Sequence, residues 1–303
     1  MITRLDMGGL RVDLLTEIAH KYMPVAFLFN DLTPDDMARN ADWLGPEFLD
    51  PVGWQVGVAF QAYVIRADGL NILVDSCNGN HKPRQAALWQ HDLRSSVFID
   101  NLAVLGLRPD DIDIVLCTHL HCDHVGWNTR LDNGKWVPTF PNARHMFNKS
   151  EYDHCFTRYQ AEGAALYYGS FHDSVIPVVD AGLVDFVDAH HPVVQGAGGT
   201  VSLSPTPGHS FGHVCIHARG GGEEAVIAGD VLHNPVQLDM PELVMRADYD
   251  PAQAAVTRAA LMAHCANTGA WLCAGHIPQR SITRIRRSGD VFRFADEGAK
   301  YNV

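Results

Sequence analysis

The chain lacks the features that mark membrane, secreted and nucleic-acid-binding proteins. Its 303 residues contain no stretch approaching the ~20 apolar residues of a membrane span, and residues 1–9 lack an apolar signal core. Acidic residues outnumber basic ones by 35 to 23, which gives a formal charge of −12. This charge disfavours nucleic acid, whose phosphates require clustered Lys and Arg. We therefore expect a cytoplasmic protein with a small-molecule substrate and neither a nucleic-acid nor a membrane partner.

Cysteine is also sparse, and its pattern argues against a disulfide framework. The seven cysteines are an odd number and are scattered, several of them inside apolar runs, as are Cys117, Cys215 and Cys273. Such cysteines are typical of reduced core thiols in a cytoplasmic protein. Short repeats, low-complexity tracts and Pro/Ser-rich linkers are missing too, while 47% of the residues are hydrophobic. A chain of this composition can bury a large core.

The most informative segment is 118–127, Thr-His-Leu-His-Cys-Asp-His-Val-Gly-Trp, which follows an apolar run. Four side chains that can bind metal fall within six positions of it. Residues two apart in an extended segment project to the same side, so His119 and His121 can converge on one ion. A turn after Leu120 could bring Asp123 and His124 to a second ion beside the first. The helical zinc-protease pattern differs, because its histidines lie four apart on one helix face.

Three further candidates follow, each where an apolar run gives way to a loop. His209 lies in a Thr-Pro-Gly-His-Ser turn, Asp230 closes the run 225–230, and His276 closes the run 270–276. Loops that follow strands are where active-site residues of layered α/β folds gather. A lone histidine at a strand end is more often structural, but three candidates in order after the first cluster favour a metal site.

This arrangement resembles the metallo-β-lactamase fold superfamily, through His119-x-His121-x-Asp123-His124 and the three later positions. Residues 125–128, 133–142 and 229–233 look most like its methyl-parathion-hydrolase and acyl-homoserine-lactonase branch. The resemblance runs from about residue 56 to residue 276. It implies one metal held by His119, His121 and His209, a second held by Asp123, His124 and His276, and Asp230 bridging the two.

Hydrolysis with two metal ions requires such a set of ligands. Two divalent ions about 3.5–4 Å apart can share a water and lower its pKa toward about 7, which produces a hydroxide nucleophile at neutral pH. One ion can polarise the substrate oxygen while the other steadies the leaving oxygen. Five histidines and two aspartates, with no thiolate, favour zinc as the cofactor and leave manganese, cobalt, nickel and iron open.

The predicted fold class is α/β, a four-layer αβ/βα sandwich of two mixed sheets with helices outside and the ligands along one edge. Because both halves must meet at the metals, we predict a single hydrolase domain over 1–303. Within it, residues 1–55 form an N-terminal arm and 149–182 a helical insert that lines the pocket. Aromatic residues in 20–55 suit a contact with a second subunit in a homodimer or a roof over the pocket, and equally an extension of the core. Helices are predicted over 93–105, 151–168 and 251–265.

Two residues beside the ligands have alternative interpretations. His233 stands three positions after Asp230, where many related lactonases have a Tyr that contacts the substrate carbonyl. It can act on the substrate or orient a ligand. Cys122 lies between ligands and is either a redox-sensitive or metal-touching thiol or a small space-filling residue. The predicted catalytic residues are Asp123, Asp230 and His233.

The sequence therefore predicts a dinuclear metal-dependent hydrolase in which a metal-bridging hydroxide attacks a lactone or carboxylic ester. Organophosphate triesters, β-lactams and the thioesters of glyoxalase-II-like enzymes are alternative substrates, the last because of arginines near the C-terminus. A flavodiiron-type oxidoreductase is disfavoured, since that family usually has Glu where His121 stands and adds a flavin domain. A non-catalytic binding protein is disfavoured by the complete ligand set.

Overall fold

The computed structural model describes residues 3–295; the ends of the predicted domain, 1–2 and 296–303, lie outside the described residues. The strands, in chain order, are β1 Arg4–Met7, β2 Leu10–Pro24, β3 Leu49–Asp50, β4 Gln55–Ala67, β5 Leu70–Val74, β6 Ile114–Leu116, β7 Thr129–Asp132, β8 Lys135–Pro138, β9 Arg144–Asn148, β10 Val184–Val187, β11 Pro192–Gly196, β12 Gly199–Pro205, β13 Val214–Gly220, β14 Glu223–Ile227, β15 Trp271–Cys273, β16 Ile282–Thr283, β17 Ile285–Ser288 and β18 Val291–Phe294. The α-helices are α1 Val25–Leu28, α2 Pro34–Leu44, α3 Val97–Val104, α4 Lys149–Glu162, α5 Ile176–Asp180, α6 Val236–Asp239 and α7 Pro251–Thr268.

Two mixed sheets contain most of the strands. The larger sheet has the order β1-β2-β4-β5-β6-β9-β10, with β3 also paired to β4, and the smaller has the order β11-β12-β13-β14-β15-β16. Strands β5, β6, β9 and β10 run parallel, as do β14 and β15, while the other pairs within the two sheets are antiparallel. Two separate hairpins, β7-β8 and β17-β18, complete the strands of the described chain.

The sheets pack face to face because their strands alternate between two apolar faces. Tyr63 and Ile65 of β4 belong to the same buried cluster as Val214 and Ile216 of β13, and this cluster fills the space between the sheets. On the outer face of the larger sheet a second cluster includes α3 and α4, and on the outer face of the smaller sheet a third includes α6 and α7. The predicted αβ/βα sandwich is confirmed.

Helix boundaries follow local capping. Asp250 accepts a hydrogen bond from the Gln253 backbone N–H, Pro251 occupies the first turn of α7, and Gly269 ends the helix in a left-handed conformation. Helix α4 ends at Gly163, with φ +66°, and a 3₁₀ segment over Gly163–Gly169 follows, so the predicted helix over 151–168 is too long. No helix within residues 3–295 is long and apolar enough to cross a membrane.

The described part of the N-terminal arm and the predicted insert both pack against the two-sheet core. Strands β1 and β2 belong to the larger sheet, and Phe29 and Phe48 are buried with the third cluster. Phe27 is 38% exposed and borders the cavity above the candidate site. In the insert, Phe171 is buried while Tyr167 lines that cavity. The division into arm and insert stays a prediction.

Candidate metal centre

The fold brings the ends of several strands to one edge. The 118–124 loop follows β6, and the segments with His209, Asp230 and His276 follow β12, β14 and β15. Strands β12, β14 and β15 run in the same direction, because each of the two pairings through β13 is antiparallel and β14 and β15 are parallel. Their carboxyl ends therefore share one edge, which brings His209, Asp230 and His276 together.

The first group of ligand atoms comes from His119, His121, His209 and Asp230, and these atoms all lie within 4.8 Å of one another. Nε2 of His209 is 3.0 Å from Nδ1 of His121 and 3.2 Å from Oδ2 of Asp230. Nε2 of His119 lies 3.7 Å from the same carboxylate oxygen. The structure thus gathers three imidazole nitrogens around one oxygen of Asp230.

The second group comes from Asp123, His124 and His276. Nε2 of His276 is 3.3 Å from Nε2 of His124 and 3.7 Å from Oδ2 of Asp123. Both imidazoles lie 3.0 Å from Oδ1 of Asp230. Asp230 therefore presents one oxygen to each group, and all seven predicted ligands are brought together.

The arrangement of these side chains suits two bound cations better than it suits hydrogen bonds among the side chains themselves. Among the described residues, buried Nε2 of His119 and Oδ1 of Asp230 have no hydrogen-bond partner, although two imidazole nitrogens lie 3.0 Å from that oxygen. Unpaired buried polar atoms are costly unless something binds them. Imidazole nitrogens and carboxylate oxygens are the donors that zinc and related ions prefer. The donor set fits a pair of divalent ions.

The electrostatics agree with this fit. Burial, reinforced by neighbouring imidazoles, holds the pKa of His119 and His121 well below the usual value, so both are neutral. Burial also opposes a charge on His209, but Asp230 and Asp248 outweigh it and raise its pKa to about 9. Burial disfavours an ionised Asp230 too, yet the surrounding imidazoles hold its pKa well below the ordinary range. Asp230 and Asp248 therefore favour a protonated His209. Because a ligating histidine must be neutral, metal binding must release this proton.

A second layer of acceptors orients the imidazoles. Asp75 places Oδ2 2.9 Å from Nδ1 of His124, and its Oδ1 accepts the Thr118 backbone N–H at 2.8 Å. Asp248 places Oδ1 2.9 Å from Nδ1 of His209. Such contacts fix the ring orientation and the tautomer of a ligating histidine. The sequence analysis missed both aspartates. Asp75 closes an apolar run, a signal that could have found it, whereas Asp248 has no comparable signal.

Removing one orienting carboxylate should weaken metal binding without removing a ligand. We expect Asp75→Asn and Asp248→Asn each to lower metal affinity about 10–100-fold, because the imidazole they orient loses its charged acceptor. Equilibrium dialysis against buffered zinc measures this change. Asp153→Asn is the matched control, since Asp153 is exposed and its carboxylate pairs with the exposed Lys149. Unchanged affinity in both site variants would contradict the orienting role.

Two glycines allow the backbone to approach closely beside the ligands. Gly208 has φ +132°, and a Cβ there would lie 2.4 Å from backbone atoms of Ala254. Gly229 has φ +49°, and a Cβ there would lie 2.6 Å from Nε2 of His213. Larger residues would push away the turns that carry the next residues, His209 and Asp230.

The structure also places the two residues with alternative interpretations. His233 is buried, its Nε2 lies 3.1 Å from Oδ2 of Asp230, and its ring stacks on His276 with an interplanar angle of 5°. Its Nδ1 has no hydrogen-bond partner among the described residues. Cys122 is buried, and burial raises the pKa of its thiol, with Asp123 adding to the effect. A protonated, buried thiol favours the space-filling interpretation of Cys122.

The two groups lie at the floor of a cavity of about 570 Å³. Polar lining comes from His121, Asp123, His209, Asp230, His233 and His276. The apolar part of the wall includes Met23, Phe27, Leu28, Val58, Phe60 and Met245. Tyr167 also lines the cavity, with its ring centroid 4.6 Å from that of His121. Tyr167 and Tyr168 are both left-handed, with φ of 49° and 58°, a strained pair of the kind that clusters at ligand sites.

Comparison with known proteins agrees with this geometry. The metallo-beta-lactamase superfamily model matches residues 61–276. The N-acyl homoserine lactonase AttM of Agrobacterium fabrum is 30% identical over 123 residues, which are 40% of this chain and 41% of that protein. AttM of Rhizobium johnstonii is 28% identical over the same lengths. The chain thus matches less than half the length of these curated relatives.

Solved structures match nearly the whole chain. AidC, a dizinc quorum-quenching lactonase in complex with the product N-hexanoyl-L-homoserine, has a TM-score of 0.79 at 18% identity and covers 98% of this chain and 97% of its own. The hydrolase AbOPH has a TM-score of 0.75 at 21% identity and covers 97% and 96%. These likenesses confirm the fold. The family model covers most of the chain and ends at the last of the seven ligands, so this protein belongs to the metallo-beta-lactamase superfamily.

Proposed function

We propose that this protein is a dinuclear metal-dependent hydrolase that opens a lactone or cleaves a carboxylic ester, and that its preferred substrate is an N-acyl lactone. The observation that carries this proposal is the convergence of seven ligand side chains into two groups that share Asp230, on the floor of a cavity with an apolar wall. The lactonase relatives and the shared fold give it further support.

The cavity suits a substrate with one polar and one apolar end. Phe60 and Val58 lie on the same strand as Ala59, whose carbonyl accepts from Nδ1 of His276, so the apolar wall begins directly beside the second group. A lactone or ester carbonyl at the floor would leave an attached acyl chain against this wall, where it loses contact with water. Gln85 and Gln90 also line the cavity, and their side-chain amides can hydrogen-bond a polar substituent of the substrate.

The protein's own groups have separate tasks. Two divalent ions, when bound, would supply an activated water and polarise the substrate carbonyl. Asp230 offers its two oxygens to the two groups, and its negative charge would offset part of the charge of two dications. His233 donates from Nε2 to Asp230, because burial lowers the pKa of this imidazole and keeps it neutral. The ring lines the cavity, and with Asp230 engaged by metal this Nε2–H would be free to donate to a substrate or leaving oxygen, a role that we assign to it.

The identity of the metal, the cellular location and the oligomeric state are further proposals. Zinc is the proposed metal, because imidazole and carboxylate donors suit it and no cysteine joins either group. A cytoplasmic location is proposed because all seven cysteines are free and buried, a pattern typical of proteins in a reducing compartment. A homodimer through residues 1–55 is supported by Tyr22, which is 39% exposed. Light scattering during size-exclusion chromatography tests the dimer directly.

The function is tested by a hydrolysis screen of the metal-loaded protein across N-acyl lactones, aryl esters, phosphotriesters and β-lactams. We expect the highest kcat/KM on N-acyl lactones, loss of activity after chelation, and recovery on addition of zinc. A preference for phosphotriesters or β-lactams would contradict the proposed substrate class. Activity that survives complete metal removal would contradict the proposed chemistry.

A further inference from the structure

A third group of metal-competent side chains lies away from the candidate centre. It consists of His217 on β13, Glu224 on β14 and His264 on α7, whose ligand atoms all lie within 4.8 Å of one another. His217 and Glu224 project from the sheet face that α7 covers. That face is apolar at Cys215 and Val226, and it becomes polar toward the β13-β14 turn. His264 follows Leu261 on α7 by one helical turn, which brings its ring over the same point.

The contacts within this group suit a shared cation. Nδ1 of His217 lies 2.7 Å from Oε1 of Glu224, and Nε2 of His264 lies 2.8 Å from Oε2. Nδ1 of His217 donates to the carboxylate as the site stands, and Nε2, 2.8 Å from Oγ of Ser204, can carry the proton instead when an ion takes Nδ1. Burial opposes ionisation of Glu224, but the two imidazoles and Arg219 lower its pKa to about 2. The carboxylate is therefore charged and available at neutral pH.

We propose that His217, Glu224 and His264 form an accessory site for a divalent transition-metal ion such as zinc, copper or nickel. Two imidazole nitrogens and one carboxylate leave a fourth position for water, a donor set that these ions accept. The three side chains are 12%, 14% and 37% exposed, so an ion can enter from solvent. The Arg219 guanidinium, 2.6 Å from Glu224, competes for the same charge, but it is 48% exposed and can swing away.

An ion at this site would tie α7 to the β13-β14 hairpin. Helix α7 also supports the candidate centre, since Oγ1 of Thr257 donates to the Pro207 carbonyl and the backbone N–H of Asp250 donates to the Gly208 carbonyl. Holding this helix in place would stabilise the turn that carries His209. Only the folded state forms this site. An ion bound there therefore stabilises the folded state and raises the unfolding temperature.

The test compares the number of zinc ions bound per chain at saturation in the full protein and its variants, by equilibrium dialysis with elemental analysis. We expect the native chain to bind one ion more than His264→Ala or Glu224→Gln, while hydrolytic activity stays the same in all three. Arg219→Gln should bind this ion more tightly, because the competing guanidinium is gone. His190→Ala is the control, since His190 is exposed and belongs to none of the three groups within the described chain; it should keep the full number.

The difference between variants makes this test independent of the main centre. If the main centre bound fewer ions than proposed, the native chain would still exceed His264→Ala by one. Equal stoichiometry in the native chain, His264→Ala and Glu224→Gln would overturn the accessory site. In thermal unfolding, excess zinc should raise the midpoint of the native chain above that of His264→Ala, and identical shifts in the two proteins would also count against it.

Discussion

Replacing Asp230 by Asn is expected to lower kcat/KM by about 100-fold or more, at least the loss seen when a single oxyanion donor is removed. The amide keeps the size of the side chain but removes the negative charge shared by the two ligand groups. One of its two end atoms also becomes a donor, which cannot bind a cation. Metal content should fall together with activity, while the fold survives on the three apolar clusters.

Steady-state kinetics and elemental analysis on the same preparation measure both effects. Circular dichroism and thermal unfolding check that the variant is folded. Asp132→Asn is the matched control, because it makes the same chemical change on an exposed hairpin. Near-native turnover in Asp230→Asn would place the chemistry elsewhere in the molecule.

Replacing His233 by Ala is expected to lower kcat roughly 100-fold or more with metal content unchanged. The imidazole lines the cavity, and its Nε2–H, 3.1 Å from Oδ2 of Asp230, is the donor that can turn to a substrate oxygen. If it steadies a developing charge, its loss costs about 2.7–4 kcal/mol, the range for one oxyanion donor. His233→Tyr should recover part of a lactonase activity, because a phenol can reach a substrate carbonyl in its place.

The contact between His233 and Asp230 suggests a competing role. With Nε2 3.1 Å from Oδ2, the imidazole can hold the carboxylate in position instead of acting on substrate. That role predicts about 10–100-fold weaker metal binding and activity that excess metal restores. Measuring kcat and metal stoichiometry together on His233→Ala separates the two roles. Rescue by added metal would rule out the direct one.

The ligand set could be predicted from the sequence because each ligand follows an apolar strand and four of them fall within six positions. The common direction of β12, β14 and β15 then brings the three later ligands to the same edge of the smaller sheet. The predicted turn after Leu120 is also present, as residues 122–124 form a turn and the His124 N–H donates to the His121 carbonyl. The segment itself is a loop throughout, so His119 and His121 converge by loop geometry and not by strand alternation.

Features that depend on distant contacts could not be predicted in this way. Asp248 lies in an irregular segment 39 residues from His209, and backbone hydrogen bonds from Tyr249 and Asp250 hold it beside the His209 turn. The predicted helix over 93–105 begins later, at Val97, because the Ser95 N–H donates to the Asn80 side chain and holds the preceding residues in a loop. The left-handed conformation of Tyr167 has no local signal either, since tyrosine rarely adopts it.

The central claim is that two metal ions share Asp230, and anomalous X-ray scattering from crystals of the zinc-loaded protein tests it most directly. The account predicts two strong peaks, one among His119, His121 and His209 and one among Asp123, His124 and His276. Both peaks should contact Asp230, whether or not a further peak lies at His217. A single peak at this centre in fully loaded protein, or two peaks without Asp230 between them, would contradict the account.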